Sequence, residues 1–173
     1  MKFVPPPPSR HHVLIVDDEE IVLVALRETL RQLGLQVTAV SDAIDGLACL
    51  RAHEFSVVIT DHQMPRLTGL EFLAQVRQIQ PRASRILITA VLNIGTVIDA
   101  INRAEICRFL LKPWQREELM GTLQVAIERF EESDNLHKEL ERLKGENVLL
   151  KNQVEALERG RCPASPAPSS NPS

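Results

Sequence analysis

Two hydrophobic rhythms alternate along the chain. One is a short, continuous apolar run, which marks a strand covered on both faces; the other is helical spacing. VLIVDD (13–18) predicts the first strand. Ile21 to Leu33 carries Val22, Leu26, Leu30 and Leu33 at helical spacing, and Gly34 stops it. Gln36 to Ser41 reads as a second strand. A short helix follows from Asp42 to about Arg51, capped by Ser41 or Asp42. FSVVITD (55–61) predicts the third strand, and Thr68 to Gln78 the next helix, with Pro81 beyond its end. RILITA (85–90) is the fourth strand, and Ile94, Val97, Ile98 and Ile101 mark another helix. RFLLKP (108–113) is the fifth strand, and a last helix opens near Gln115. This alternation predicts an α/β fold built on a doubly wound, five-stranded parallel sheet.

From about Phe130 the pattern changes. Leu136, Leu143, Leu150 and Leu157 recur every seven residues, and taking them as d puts Leu140, Asn147 and Val154 at a. The helix opening near Gln115 meets no proline or strong breaker before this region, so it can run on into it. That is the pattern of a coiled coil, and a lone asparagine at a favours a parallel two-stranded one. Glu139 and Glu146 at g would face Lys144 and Lys151 at e of a second copy. These seven a and d residues are therefore the expected seam of a homodimer. Composition marks off both ends of the chain: residues 1–11 hold four consecutive prolines, and 161–173 are poor in large apolar residues. The expected organisation is a tail over 1–11, a domain over 12–130, a coiled coil over 131–160 and a second disordered tail over 161–173.

Charge and composition narrow the function. The chain has 173 residues, 44% of them hydrophobic, and a net charge of −3, with no basic stripe to meet nucleic-acid phosphates. A DNA-binding zipper needs a basic region upstream, and TLQVAIERFEESDN is acidic on balance. Apolar stretches fall far short of the roughly 20 residues of a membrane span. The N-terminus lacks the apolar core of a signal peptide. Cys49, Cys107 and Cys162 form no CxxC pair, which argues against zinc or a disulfide framework. A cytoplasmic protein with no nucleic-acid or membrane partner is expected.

The chemistry gathers where the predicted strands end. The first ends on Asp17 and Asp18, the third on Asp61, the fourth on Thr89 and the fifth on Lys112. In an open α/β sheet, ligands bind outside the carboxyl ends of the strands. Three carboxylates crowded there repel unless a cation relieves them. Hard oxygen ligands suit Mg²⁺, which takes one or two carboxylates plus a phosphoryl oxygen and keeps several waters. One carboxylate can then serve as a nucleophile that accepts a phosphoryl group. Lys112 and Thr89 can receive the oxygens of that group.

IVDDEE, TDHQMPRLTG, the TA that ends the fourth strand, and FLLKP together resemble the receiver domain of bacterial two-component response regulators. The resemblance covers about residues 12 to 130. It implies a flavodoxin-like sheet of strand order 2-1-3-4-5, and Asp61 as acceptor of phosphate from a histidine kinase or phosphotransfer protein. It further implies that Asp18, Asp61 and the main-chain carbonyl of Gln63 bind Mg²⁺, with Asp17 acting largely through water. Thr89 and Phe109 would form the switch pair, and Lys112 would hold the phosphoryl group. Because the donor histidine comes in trans, His62 is expected to be a loop residue. AINRAEICRFLLKPW (100–114) is similar to receivers that precede ATPase-type transcription activators or cyclic-dinucleotide phosphodiesterase domains. Those commonly carry glycine and tyrosine at Ala104 and Cys107. The expected function is a response regulator that signals through a downstream protein partner as a coiled-coil dimer, with no enzymatic activity beyond its own phosphoryl transfer. The alternatives are the input half of a larger activator or phosphodiesterase, and a receiver-like scaffold that is not phosphorylated.

Overall fold

The computed structural model describes residues 10–90 and 106–160. The helix expected over 94–101 lies outside the described residues, as do 1–9 and 161–173 of the expected tails. Five strands, β1 (His12–Val16), β2 (Gln36–Val40), β3 (Val57–Asp61), β4 (Ser84–Thr89) and β5 (Arg108–Leu111), pair in parallel in the order β2-β1-β3-β4-β5. This is the expected doubly wound sheet in the expected order. The described helices are α1 (Glu20–Gln32), α2 (Ala43–Ala52), α3 (Gly69–Ile79) and α4 (Arg116–Gly160).

The alternation of side chains along β1 sorts the core into two layers. Leu14 and Val16 pack with Leu47 and Leu50 of α2 and with Phe72 and Val76 of α3. Val13 and Ile15 face the other way, onto Leu26 and Leu30 of α1 and Leu119 and Leu123 of α4. Both faces of β1, β3 and β4 are therefore buried, which is why these strands read as continuous apolar runs.

Local signals end and begin the helices. Gly34, at φ 79°, lets the chain turn back after α1. Its N–H meets the Arg31 carbonyl at 2.9 Å, and the Leu35 N–H meets that of Leu30 at 3.2 Å. Asp42 rather than Ser41 caps α2, accepting the Ile44 N–H at 2.7 Å. Thr68 and Glu71 form a reciprocal capping box at α3. The loop that leads into α3 is held tightly against the end of β3. A methyl group added at Gly69 would stand 2.0 Å from the Asp61 carbonyl oxygen. Only glycine allows this approach.

The chain divides into two units after Asp134. The first reaches slightly further in both directions than composition suggests. His11 is buried, its ring lying 3.2 Å from both Ser56 Oγ and Glu131 Oε1. Arg10 also reaches Glu131, at 2.7 Å. In the second unit, the described residues from Asn135 onward are helical. Every seam residue there is exposed, from Leu143 at 48% to Leu136 at 73% among the leucines. Arg142 pairs with Glu139 and Glu146, and Lys144 with Glu141, so these charges are engaged along their own helix. No described helix is long and apolar enough to cross a membrane.

Gly69→Ala should destabilise the first unit by about 3 kcal/mol, at the upper end of overpacking costs, because the clash is with backbone rather than a flexible side chain. Chemical denaturation measures this; a change below about 1 kcal/mol would mean that the loop yields freely.

Candidate functional site at the strand ends

Strand register alone brings the site together. Val16 pairs with Thr60, so the next residues, Asp17 and Asp61, fall side by side at the carboxyl edge. Asp61 pairs in turn with Ile88, and Thr89 with Leu111. Lys112 follows one residue later, its N–H donating to the Thr89 carbonyl at 2.9 Å. Three strands thus deliver two carboxylates and an ammonium group to one point.

The ammonium group is the junction. Lys112 Nζ lies 2.7 Å from Asp61 Oδ1, 3.0 Å from Asp17 Oδ2 and 2.9 Å from Glu19 Oε1. Asp17 and Asp61 are buried, at 1% and 6% exposure. Each carboxylate spends its other oxygen on backbone. Asp17 Oδ1 accepts the Glu19 N–H at 2.9 Å, and Asp61 Oδ2 accepts the Gln63 N–H at 2.5 Å. Both side chains are therefore fixed at two points.

Burial pushes the Asp17 carboxyl above its usual pKa, and the neighbouring Asp61 charge adds to this. The Glu19 N–H and Lys112 oppose it without prevailing. Partial burial by itself would lower the Lys112 pKa, but its bonds to Asp61, Glu19 and Asp17 hold it above the usual lysine value. The lysine stays charged because it is shared.

The donor set suits a hard divalent cation. Every candidate ligand is oxygen, and two of them, Asp17 and Asp61, are buried carboxylates. Asp18 is exposed beside them. Among the described residues, no three acidic, histidine or cysteine side chains stand together as a metal-holding group. A metal here would be completed by a main-chain carbonyl, water and a phosphoryl oxygen, which is the coordination habit of Mg²⁺.

The comparisons with known proteins agree with this geometry. The response regulator receiver domain matches residues 13–124. The chain belongs to the response regulator receiver family. This receiver is 36% identical over 114 residues to the hydrogenase transcriptional regulatory protein HoxA of Cupriavidus necator, covering 66% of this chain and 23% of HoxA. It is 30% identical over 106 residues to the response regulator protein TodT of Pseudomonas putida, covering 61% of this chain and 46% of TodT. The signal receiver domain of an HD domain-containing protein from Pseudomonas fluorescens Pf-5 superposes with a TM-score of 0.69 at 33% identity. It covers 72% of this chain and 99% of that one. The receiver thus spans under half the length of the curated relatives it matches. Receiver domains generally bind Mg²⁺ at the phosphorylation site.

The other site candidates are placed as follows. Thr89 ends β4, buried at 3% exposure, and its carbonyl anchors Lys112. Phe109, in β5, is half-buried against the layer that holds α2 and α3. The Gln63 N–H points to Asp61. His62 follows Asp61 and is half-buried, with its own N–H on the Ile88 carbonyl at 2.8 Å. Trp114 and Cys107 pack in the opposite layer, with Leu119 and Leu123. Sequence reasoning missed Glu19, the third carboxylate on Lys112. The available signal was the run DDEE itself, whose third member lies two residues after Asp17 and within reach of the same cation.

Lys112→Ala removes a cation shared by two buried carboxylates. In metal-free buffer it should cost on the order of 2 kcal/mol, below the roughly 3–5 of a fully buried pair because the lysine side chain keeps 16% exposure. Added Mg²⁺ should recover part of the loss. Unchanged stability on thermal denaturation would show that the carboxylates are relieved in some other way.

Proposed function

We propose that Asp61 accepts a phosphoryl group from the phosphohistidine of a histidine kinase or phosphotransfer protein. The observation that carries this reading is the Asp17–Lys112–Asp61 cluster, in a chain that belongs to the receiver family. An Asp61 carboxylate oxygen attacks phosphorus in line, the P–N bond breaks, and the imidazole leaves with a proton from solvent. Asp61 is prepared for this by its two fixed contacts, which remove the orientational freedom of the nucleophile. Mg²⁺, when bound, neutralises charge on the transferred oxygens. Asp18, Asp61 and the Gln63 carbonyl are its proposed ligands, and Asp17 acts through water. Lys112 moves part of its charge from Asp61 to the phosphoryl oxygens, and the Thr89 hydroxyl donates to another of them. Phe109, already half-buried, turns inward behind the threonine. The group adds about −1.5 to −2 charges at the strand ends, enough to bias a two-state surface. No reaction beyond this transfer and its hydrolysis is assigned to the chain.

The output is proposed to be protein–protein, through a parallel homodimer of the second unit. Leu136, Leu140, Leu143, Asn147, Leu150, Val154 and Leu157 are all exposed in the single chain and lie at a and d. Each leucine fully buried in a seam contributes roughly 1.5–3 kcal/mol. Charge pairs across the seam compete with the pairs already formed along the helix, so each adds under about 1 kcal/mol.

The relatives' lengths favour a second reading. The matched region is 23% of HoxA and 46% of TodT, so the receiver and helix would be the input part of a longer regulator. The size of the protein in its native cells, by immunoblot against the receiver, separates the two.

Incubation with Mg²⁺ and acetyl phosphate should label Asp61. Asp61→Asn should abolish the label and Asp18→Ala nearly so; labelling that persists in Asp61→Asn overturns the assignment. For the seam, Asn147→Leu should raise thermal stability while admitting oligomers above the dimer. A monomer by light scattering at tens of micromolar would exclude the dimer.

A further inference from the structure

A lysine ammonium group has three N–H bonds to donate, and Lys112 spends all of them on carboxylates. Asp61 Oδ1, Glu19 Oε1 and Asp17 Oδ2 receive them at 2.7, 2.9 and 3.0 Å. An incoming phosphoryl oxygen therefore meets no free donor on the lysine. One carboxylate has to let go first.

The three differ in what release costs. Asp17 is 1% exposed, so losing the ammonium would strand a buried charge. Asp61 is buried as well, and it keeps its charge until a new bond forms, so it frees the lysine only during the reaction. The Glu19 side chain is 63% exposed, and water can replace the ammonium there at little cost. Glu19 is also the N-cap residue of α1, yet its side chain makes no capping bond. Its main chain is held independently of that side chain. The carbonyl accepts the Val22 and Leu23 N–H groups at 3.0 and 3.1 Å, and the N–H donates to Asp17. The carboxylate can thus swing away while the backbone stays fixed. Once released, its charge remains at the N-terminus of α1, where the helix dipole favours an anion.

We infer that Glu19 is a positioning residue that fills, on Lys112, the place of an incoming phosphoryl oxygen and yields it when a donor arrives. The inference rests on the proposed phosphorylation of Asp61 and adds how that site is held between transfers. A donor has to compete with a carboxylate for the third N–H of the lysine. Glu19 therefore slows small phosphodonors, which bring little binding energy of their own.

The test is the initial rate of Asp61 labelling by acetyl phosphate in the full chain. The donor is kept well below saturation, and Mg²⁺ is brought to saturation for each variant separately. Glu19→Gln preserves the size of the side chain and removes the competing charge. It should raise the rate about threefold, within the range that an exposed ion pair is worth. Glu20→Gln is the control, removing the same charge one residue on. Glu20 is exposed too, but it is not among the described partners of Lys112. Its variant should label at the wild-type rate. A purely structural Glu19 gives the opposite sign, because loss of a support slows the reaction. Absence of label on wild type overturns the phosphorylation of Asp61 and this inference with it. With wild type labelled, the inference alone fails if Glu19→Gln is no faster, or if Glu20→Gln gains as much.

Discussion

Two buried carboxylates, Asp17 and Asp61, meet at the ends of adjacent strands, and Lys112 is the cation between them. At an effective dielectric near 20, unit charges about 4 Å apart interact by about 4 kcal/mol, so a cation at this point, the lysine or a bound metal, decides whether the arrangement is favourable. The lysine depends on the sheet for its place. It follows β5 by one residue, so its position is set by the pairing of β4 with β5, and through β4 by the pairing with β3. A one-residue slip in either ladder would turn the ammonium to the other face of the sheet. The apolar runs that fix register are therefore also what fixes the site.

The same cluster ties a loop to the sheet. Glu19, at the start of α1, is exposed and could remain in water, yet it shares Lys112 with the buried acids. Its backbone N–H returns the contact by donating to Asp17. On the other side, the approach of Gly69 to the Asp61 carbonyl brings the loop before α3 against the strand. The capping box of Thr68 and Glu71 then starts the helix at once, leaving little freedom between Asp61 and α3. Asp61 is thus held by Lys112, by the Gln63 N–H and by the loop that Gly69 brings against its carbonyl.

The strands and the residues at their ends were legible in the sequence because both follow from one constraint. A strand buried on both faces is mostly apolar, so a carboxylate or ammonium at its carboxyl end stands out. What stayed hidden depends on partners far apart in the chain. Nothing near Arg85 signals that a charged residue will be buried; its bonds to the Pro81 and Ala83 carbonyls require the turn before β4 to be already formed. His11 reads as the end of a proline-rich tail, but Ser56 and Glu131 enclose it from 45 and 120 residues away. Gly69 could be recognised as part of a motif, while its physical reason, a carbonyl 2.0 Å from where Cβ would stand, exists only in the folded chain.

One helix serves both units, and its sequence changes rhythm between them. In the first unit Leu119, Thr122, Leu123 and Ala126 are buried at i, i+3, i+4 and i+7, the spacing of a helix lying on a sheet. Beyond Asp134 leucine recurs every seven residues, at 136, 143, 150 and 157, a period that drifts around a straight helix. The change falls where Glu131 is held by Arg10 and His11, and Asp134 by Arg82. These pairs mark the last grip of the first unit on α4. A run of exposed leucines follows directly on that grip, each leaving apolar area in water. The seam of the proposed dimer would thus begin where the receiver's hold on its own helix ends.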